Sequence, residues 1–406
     1  MTKYRVKFEV QGWRQNHLPE TSNLQPQTLS GTVLSMTPII IPIFLPFLGC
    51  RQRCLFCNQR VSVEEVPSPP AVRNFIEDSI KGLPFSGARE KQIAFYGGSF
   101  TAIGKEGQIR FLEAARPFLI SGLIDSIRIS TRPDALDEET LSILKEYGVK
   151  TVEIGAQSMI DEVLFLSQRG HCVADIFSAT SRLKQCGFEI GLQLMIGLPG
   201  DTYELFLETI DRAIHLKPDF LRIHPTLVLR GAPLEIQWKI GRYVPLSLEE
   251  TIRWLKKGLL TLEKSRIRVA RIGLQPTQGL EKHLLAGPYH PALHQCVDSE
   301  IAFEMAEHLL QNNSGGVRAL FLCNPKEVSN LRGQRNGNIL RLRDQFQLEE
   351  IAIQITEEIE RGTLVLQNQR GRVSIHRRDL YHFDAHRVGA TSVAQSGNED
   401  GTATSF

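Results

Sequence analysis

The chain has 406 residues, of which 42% are hydrophobic, and its formal net charge is +2. This length and apolar content allow a large buried core, favour one big domain plus a smaller one, and exclude a largely disordered chain. The nearly neutral charge also excludes nucleic-acid binding through the field of the whole protein, so such a partner would need a local basic patch.

The two ends of the chain are its least patterned parts. Residues 1–35, read as an amino-terminal extension, carry charges where a signal peptide needs an apolar core. The most apolar run, residues 38–48, is interrupted by Pro42 and Pro46 and is too short to cross a bilayer. We therefore expect a cytoplasmic protein that has no membrane contact. Residues 386–406 are small and polar, which predicts a disordered tail.

Between the ends, short β-branched runs alternate with amphipathic stretches, which is typical of repeated βα units around a parallel sheet. The predicted strands are 39–45, 92–96, 126–131, 151–154, 189–195, 220–223 and 268–272. The predicted helices are 105–119, 137–147, 173–186, 203–216 and 247–264. This α/β pattern favours a full or partial (β/α) barrel over residues 36–290, with an open doubly wound sheet as the alternative.

Three of the seven cysteines, Cys50, Cys54 and Cys57, follow the first predicted strand directly. In a reducing compartment, an odd number of cysteines argues against a disulfide framework and for a metal or redox site. A structural zinc site normally takes four ligands, and the nearest downstream histidine is His171. Three thiolates can instead hold three irons of a 4Fe-4S cluster and leave the fourth iron open to a substrate or cofactor.

The spacing Cys-x3-Cys-x2-Cys, with Phe56 just before the third cysteine, resembles the signature of the radical S-adenosylmethionine (radical SAM) superfamily. This resemblance implies a 4Fe-4S cluster bound by Cys50, Cys54 and Cys57. It also implies S-adenosyl-L-methionine as the second cofactor, its reductive cleavage to a 5′-deoxyadenosyl radical, and a reductant protein such as flavodoxin or ferredoxin. Zinc binding and chance clustering of the cysteines are the alternatives.

The stretch "FYGGSF" (95–100) resembles the glycine motif of this family, whose backbone carbonyls bind the methionine amino group. The resemblance implies that Gly97, Gly98 and Ser99 contact the cofactor, although Ser99 stands where the family often has an acidic residue or Thr. An ordinary strand-to-helix turn is the alternative.

Four later motifs stand at predicted strand ends or turns, namely "STRPD" (130–134), "GAQS" (155–158), "SQRGH" (167–171) and "LQLMIGLPG" (192–200). In this order they resemble the radical domain of the Elongator catalytic subunit and, more loosely, oxygen-independent coproporphyrinogen oxidases. The resemblance implies cofactor contacts from Ser130, Arg132, Gln157, Arg169 and Gln193. Ser130 replaces a glutamate and Gln193 an aspartate of the relatives, so we expect rearranged ribose contacts.

Residues 222–255 and 268–276 resemble the Elongator subunit more specifically. In that family the segment lies near the substrate, which makes Arg230, Tyr243 and Arg271 candidate substrate contacts; a helix cap or surface ion pair is the alternative for each. We expect no acetyltransferase activity, because the best match to its phosphate loop, "QRNGNI", ends in a bulky isoleucine.

Residues 291–385 are predicted to form a small carboxyl-terminal α+β domain. Within it, residues 318–354 read as strand, helix, glycine turn, helix and strand, which resembles the KH module. Its GxxG loop would begin at Gly333 but lacks the last glycine, while Arg332, Arg335 and Arg341 supply positive charge for RNA. A solvated helix face is the alternative.

Together, the motifs predict a radical SAM enzyme that modifies a base of tRNA or another RNA. Two alternatives stay open. One is a radical SAM enzyme that acts on a small molecule, as the coproporphyrinogen oxidases do. The other is a cluster-bearing RNA-binding protein that has lost radical chemistry.

Overall fold

The computed structural model describes residues 38–51, 53–61, 65–82, 89–313, 316–368 and 371–380. The predicted amino-terminal extension (1–35) and disordered tail (386–406) lie outside these ranges. The strands are β1 (Ile39–Leu45), β2 (Lys91–Gly97), β3 (Ser126–Thr131), β4 (Val149–Gln157), β5 (Glu189–Ile196), β6 (Phe220–Pro225), β7 (Val228–Leu229), β8 (Arg268–Ile272), β9 (Leu284–Ala286), β10 (Arg318–Cys323), β11 (Glu350–Ile355), β12 (Thr363–Asn368) and β13 (Gly371–His376). The helices are α1 (Pro69–Lys81), α2 (Lys105–Ile120), α3 (Glu138–Glu146), α4 (Asp161–Leu166), α5 (Val173–Gln185), α6 (Tyr203–His215), α7 (Leu234–Lys239), α8 (Leu248–Lys264), α9 (Gln278–His283), α10 (Leu293–Asn312), α11 (Val328–Arg332) and α12 (Gly337–Phe346).

The larger sheet has seven strands in the order β1-β2-β3-β4-β5-β6-β8, and every neighbouring pair is parallel. The sheet curls into a half-barrel whose two edges are β1 and β8. This confirms the predicted partial barrel. The doubly wound alternative is wrong, because the strands follow chain order, whereas a doubly wound sheet reverses its direction of growth at a switch point.

The local sequence explains these elements. In "SIRIST" of β3, Ile127 and Ile129 are fully buried on one side of the sheet, so the alternate Arg128 points to the other side. Several of the outer helices begin at a residue whose side chain accepts a backbone N–H group. Asp137 caps α3 in this way and Ser247 caps α8.

The carboxyl-terminal part forms a second sheet of four strands in the order β11-β10-β12-β13. Strands β10 and β11 are parallel, whereas β12 is antiparallel to both of its neighbours. Helices α11 and α12 lie between β10 and β11, so the predicted strand–helix–turn–helix–strand order of 318–354 is present. The long helix α10 packs against α8 on one side and against α11 and α12 on the other. The predicted domain boundary near residue 290 stays a prediction.

No helix within the described ranges has the combination of length and apolar sequence needed to cross a membrane.

Candidate active site at the cysteine loop

The three clustered cysteines lie on the loop that leaves the carboxyl end of β1. The Cys50 N–H donates to Phe47 O at 3.0 Å, and the Cys57 N–H donates to Cys54 O at 3.1 Å, so two tight turns shape the loop. A Cβ atom on Gly49 would lie 2.2 Å from Ser99 O, which only glycine avoids. The loop is therefore packed closely against the segment that follows β2.

The thiols influence one another electrostatically. Burial, and then the neighbouring Cys54, raise the pKa of Cys50. Burial, followed by Cys54 and Cys50, raises the pKa of Cys57 to about 12. Three neighbouring thiolates would repel one another in a partly buried site. A bound metal centre would compensate their negative charge, because metal binding displaces the thiol protons. The donor set therefore fits an iron-sulfur cluster.

Arg169 connects the loop to the end of β4. Its Nη1 donates to Cys54 Sγ at 2.9 Å, its Nη2 donates to Gly155 O at 2.6 Å, and its guanidinium carbon lies 6.0 Å from the centre of the Phe56 ring. A Cβ atom on Gly155 would lie 2.9 Å from Gln157 Nε2, so Gln157 belongs to the same cluster. Arg169 Nε and Gln157 Oε1 are both buried without a hydrogen-bond partner. A polar ligand next to the loop would satisfy these atoms.

The glycine segment after β2 lies against the base of the loop. Gly98 N donates to Leu45 O at 2.9 Å, and a Cβ atom on Gly98 would lie 2.0 Å from Leu48 O. The Gly97 carbonyl already accepts from Gln59 Nε2 at 2.6 Å. The oxygen has a second lone pair, so the expected contact with a cofactor would share this carbonyl with Gln59.

Arg132 and Ser99 also lie near the cysteines. Arg132 Nε and Nη2 donate to Asp134 at 2.8 and 2.9 Å. Burial lowers the pKa of Arg132, but Asp134, and to a lesser extent Cys54 and Cys50, raise it overall, so the guanidinium lies within electrostatic reach of the loop. The Ser99 hydroxyl is buried 3.1 Å from the Thr131 hydroxyl, where it serves the fold.

A charged network fills the concave face of the half-barrel beyond the loop. Glu153 Oε1 accepts from Arg128 Nη1 at 2.7 Å and from the Tyr96 hydroxyl at 3.2 Å, and Arg222 Nη2 donates to the Tyr96 hydroxyl at 3.0 Å. These side chains touch across the non-neighbouring strands β2, β4 and β6, which only the concave face of a curled sheet allows. Burial, and then Glu153, raise the pKa of Tyr96 to about 12.

Ser130 and Gln193 lie on strands beside this network, and Ser130 also lines a small cavity with Leu48 at the base of the cysteine loop. Ser130 pairs in register with Glu153, and Gln193 pairs in register with Arg222. Both side chains are only half-buried, so they are accessible from the open side of the half-barrel.

Two of the three candidate substrate contacts lie beside the cysteine loop. The Tyr243 hydroxyl donates to Gly197 O at 2.7 Å, and its ring packs in an apolar cluster with Leu55 of the loop. Arg230 is exposed, and its backbone carbonyl accepts from Asn58 Nδ2 at 2.6 Å beside the cysteine loop. Arg271 alone lies on the sheet, in register with Arg222.

The candidate RNA contacts lie in the carboxyl-terminal part. Arg335 is exposed, and Arg332 is half-buried. Arg341 forms a bidentate pair with Glu300 at 2.9 and 3.3 Å, and its guanidinium carbon lies 3.6 Å from the centre of the Phe303 ring. Arg341 is thus engaged within the fold, whereas Arg335 is open to a partner.

Sequence reasoning missed Arg128, Glu153, Tyr96, Arg222 and Gln59. A signal for the first two was present, since each is a charged residue between two β-branched apolar residues of a buried strand. Such a residue needs a partner on the same face. Gln59 had no local signal, because its role depends on the fold that brings Phe47 and Gly97 to either side of it.

Within the described ranges, no three Cys, His, Asp or Glu side chains converge as ligands of one metal ion. A single zinc ion would need ligand atoms about 2.0–2.3 Å from one point. A 4Fe-4S cube makes a different demand, because each cysteine sulfur binds its own iron. All seven cysteines are free of disulfide bonds.

Comparison with known proteins identifies the radical domain. Residues 44–213 match the model of the radical SAM superfamily, and residues 218–302 match that of the Radical_SAM C-terminal domain. The tRNA uridine(34) acetyltransferase of Methanocaldococcus jannaschii is 35% identical over 148 residues, which cover 36% of this chain and 27% of that protein. Elongator complex protein 3 of Bos taurus is 34% identical over 149 residues, with the same two coverages.

A solved structure supports the same fold. The archaeal Methanocaldococcus infernus Elp3 with an amino-terminal deletion superposes with a TM-score of 0.53 at 23% identity, covering 68% of this chain and 64% of that one. The chain spans only about a quarter of the length of the two curated relatives above. The matched models and the half-barrel nevertheless agree: residues 44–213 form a radical SAM domain, and this domain is similar to that of Elongator proteins.

Proposed function

We propose that this protein binds a 4Fe-4S cluster through Cys50, Cys54 and Cys57, cleaves S-adenosyl-L-methionine reductively, and uses the resulting radical to modify a base of tRNA. The observation that carries the proposal is the contact of Arg169 with Cys54 Sγ at the mouth of the half-barrel. It joins the thiol loop to the β4 end, where Gln157 offers an unsatisfied buried oxygen.

When bound, the cluster would supply an electron for cleavage of S-adenosylmethionine, and the cofactor would supply radical chemistry for hydrogen abstraction. The chain's own residues hold and orient these groups. Arg169 donates from Nη1 to Cys54 Sγ and from Nη2 to Gly155 O, and these two contacts hold the cysteine loop against the end of β4. Gly98 allows the backbone after β2 to approach the loop closely.

The tRNA substrate is proposed from the relatives, since the Methanocaldococcus jannaschii protein is named for tRNA uridine(34). The exposed Arg335 of the KH-like turn would add an electrostatic contact to the RNA backbone. A reductant protein such as flavodoxin or ferredoxin would supply the electron.

Anaerobic reconstitution with iron and sulfide, followed by dithionite and S-adenosylmethionine, tests the radical chemistry. We expect 5′-deoxyadenosine from the wild type and none from Cys54→Ser, which also loses iron. Cys172→Ser is the matched control, because Cys172 is an exposed helix N-cap where serine is favoured. A wild-type protein that binds iron but makes no 5′-deoxyadenosine would contradict the proposal and favour a non-catalytic RNA-binding protein.

Filter binding of tRNA across a range of salt concentrations tests the substrate class. We expect an affinity that falls as salt rises, because phosphate contacts release counterions. An absence of tRNA binding, or binding without a salt dependence, would contradict the tRNA assignment and favour a small-molecule substrate.

A further inference from the structure

The concave face of the half-barrel carries more guanidinium groups than carboxylates. Glu153 Oε1 lies 2.7 Å from Arg128 Nη1, and its Oε2 lies 3.2 Å from Arg222 Nε, so one carboxylate serves two arginines. Arg271, a third arginine, stands in register with Arg222 on the neighbouring strand β8. Among these residues three arginines thus share one carboxylate, whereas Arg268 and Glu189 on the same face pair with each other at 3.6 Å.

Arg271 is held by backbone groups and not by a carboxylate. Its Nε and Nη2 donate to the carbonyls of Gly273 and Leu274, each at 3.1 Å. None of the ion pairs within the described ranges includes it. Burial, and then the positive charge of Arg222, lower the pKa of Arg271. Because a guanidinium stays protonated at neutral pH, the two like charges remain side by side.

The guanidinium group of Arg222 also has incomplete hydrogen bonding. Its Nη2 donates to the Tyr96 hydroxyl, but its buried Nε has no well-directed hydrogen bond, and its side chain is 18% exposed toward the open side of the half-barrel. His224, two residues further along β6, does not balance the charge. Burial, and then Arg222 and Arg271, lower its pKa to about 3, so it is neutral at physiological pH.

We propose that Arg222 and Arg271 form an anion subsite for the substrate and that, with a tRNA substrate, they bind the phosphate of the nucleotide that enters the half-barrel. This inference rests on the proposed function and names a contact within it. Two adjacent guanidinium groups present paired N–H donors that match phosphate or carboxylate oxygens. The bound anion would balance the surplus positive charge that the fold leaves on this face.

The test compares uridine 5′-monophosphate with uridine by isothermal titration calorimetry on the full-length reconstituted protein. We expect the monophosphate to bind more tightly than the nucleoside. Arg271→Gln should lower monophosphate affinity by at least ~10-fold, since it removes a charged hydrogen-bond donor, and should leave uridine affinity unchanged. Arg271→Lys, which keeps the charge, should give an intermediate affinity.

Arg268→Gln is the matched control, since Arg268 lies on the same strand, is 40% exposed and pairs with Glu189 at 3.6 Å. It should leave monophosphate affinity unchanged. Thermal melting by circular dichroism verifies that each variant is folded, and Arg222→Gln provides a second variant that removes the other guanidinium.

Three results would overturn the inference. In the first, the wild type binds the monophosphate and the nucleoside with equal affinity. In the second, Arg271→Gln and Arg268→Gln lose equal monophosphate affinity. In the third, Arg271→Gln loses affinity for S-adenosylmethionine but keeps its monophosphate affinity. The last result would assign the arginines to the carboxylate of the cofactor. The 5′-deoxyadenosine assay on the wild type is independent of this titration, so a failure of the proposed function is distinguishable from a failure of the subsite.

Discussion

Two arginine clusters in this molecule have opposite charge balance. On the concave face of the half-barrel, the single carboxylate of Glu153 serves Arg128 and Arg222. Where the carboxyl-terminal part meets α8 and α10, the single guanidinium of Arg377 lies 3.0 Å from Glu263 and 2.9 Å from Asp298. The first cluster keeps a surplus of positive charge, whereas the second has more carboxylates than its arginine can neutralise.

We interpret the concave cluster as a binding surface. We interpret the cluster of Arg377, Glu263 and Asp298, called the structural joint below, as a contact that holds elements together. The second cluster ties two helices to the residues after β13, and its guanidinium lies between two carboxylates. The concave cluster faces open space with guanidinium groups that the fold does not neutralise. Charge that a protein leaves unbalanced in a cleft is available to a ligand, and the variants below test whether the two clusters differ in this way.

The largest expected effect is on the stability of the half-barrel. Glu153→Ala leaves Arg128, which is 3% exposed, without its carboxylate, so we expect a loss of about 3–5 kcal/mol in the free energy of unfolding. Urea denaturation measures this loss. Glu106→Ala, at an exposed pair with Arg110 one helical turn away, is the control and should cost about 1 kcal/mol or less. If both variants lose similar free energy of unfolding, Glu153 contributes no more to stability than a residue of an exposed ion pair.

A smaller effect is expected at the structural joint. Asp298→Ala leaves Arg377 paired with Glu263, so we expect a loss of about 1–2 kcal/mol in the same assay. The double variant Glu263→Ala/Asp298→Ala leaves Arg377 unpaired and should cost more than the sum of the single variants. Strict additivity would show that the two carboxylates do not share one arginine.

The contribution of the structural joint to stability should depend on pH. Burial first, with a further contribution from Asp298, raises the pKa of Glu263 above its usual 4.5. The folded state therefore binds this proton more tightly than the unfolded state, so the contribution is fully present below pH 4.5 and is lost as pH rises through the folded-state pKa. Denaturation midpoints of the wild type should fall relative to those of Glu263→Gln as pH increases from 4.5. If the difference in denaturation midpoint between the wild type and Glu263→Gln stays constant across this pH range, the pKa of Glu263 is not raised in the folded state.

The smallest effect concerns RNA binding by the carboxyl-terminal part. Arg341 is occupied by Glu300 and stacks on Phe303, so Arg341→Ala should change tRNA affinity by less than about twofold. Arg335 is exposed, and Arg335→Ala should reduce the salt slope of tRNA binding by about one. Filter binding measures both, and a larger loss from Arg341→Ala would show that its ion pair opens for RNA.

Much of the fold was predictable because each βα unit carries its own local pattern. The predicted strand at 126–131 coincides with β3. The predicted strand at 151–154 is too short, because β4 runs from Val149 to Gln157. Lys150 and the stretch 155–157 fall outside the β-branched run, although Gln157 still pairs in register with Leu194 of β5.

The candidate site was predictable only where residues form a local motif. Cys50, Cys54 and Cys57 are such a motif. The contact of Arg169 with Cys54 joins residues 115 positions apart, and that of Arg222 with Tyr96 joins residues 126 positions apart. The family resemblance pointed to Arg169, but no local pattern contains the pairing of Arg222 with Tyr96, because only the curl of the sheet brings them together.

The tight contact of Gly98 with Leu48 has a consequence for how this site can vary. The glycine segment and the cysteine loop share backbone hydrogen bonds and leave no room for a Cβ atom between them. The two segments are distant in sequence, but they pack so closely that a displacement of one displaces the other. A side chain introduced at Gly98 would displace the thiols without touching any of them, so a defect in metal loading can originate in a residue that binds no metal.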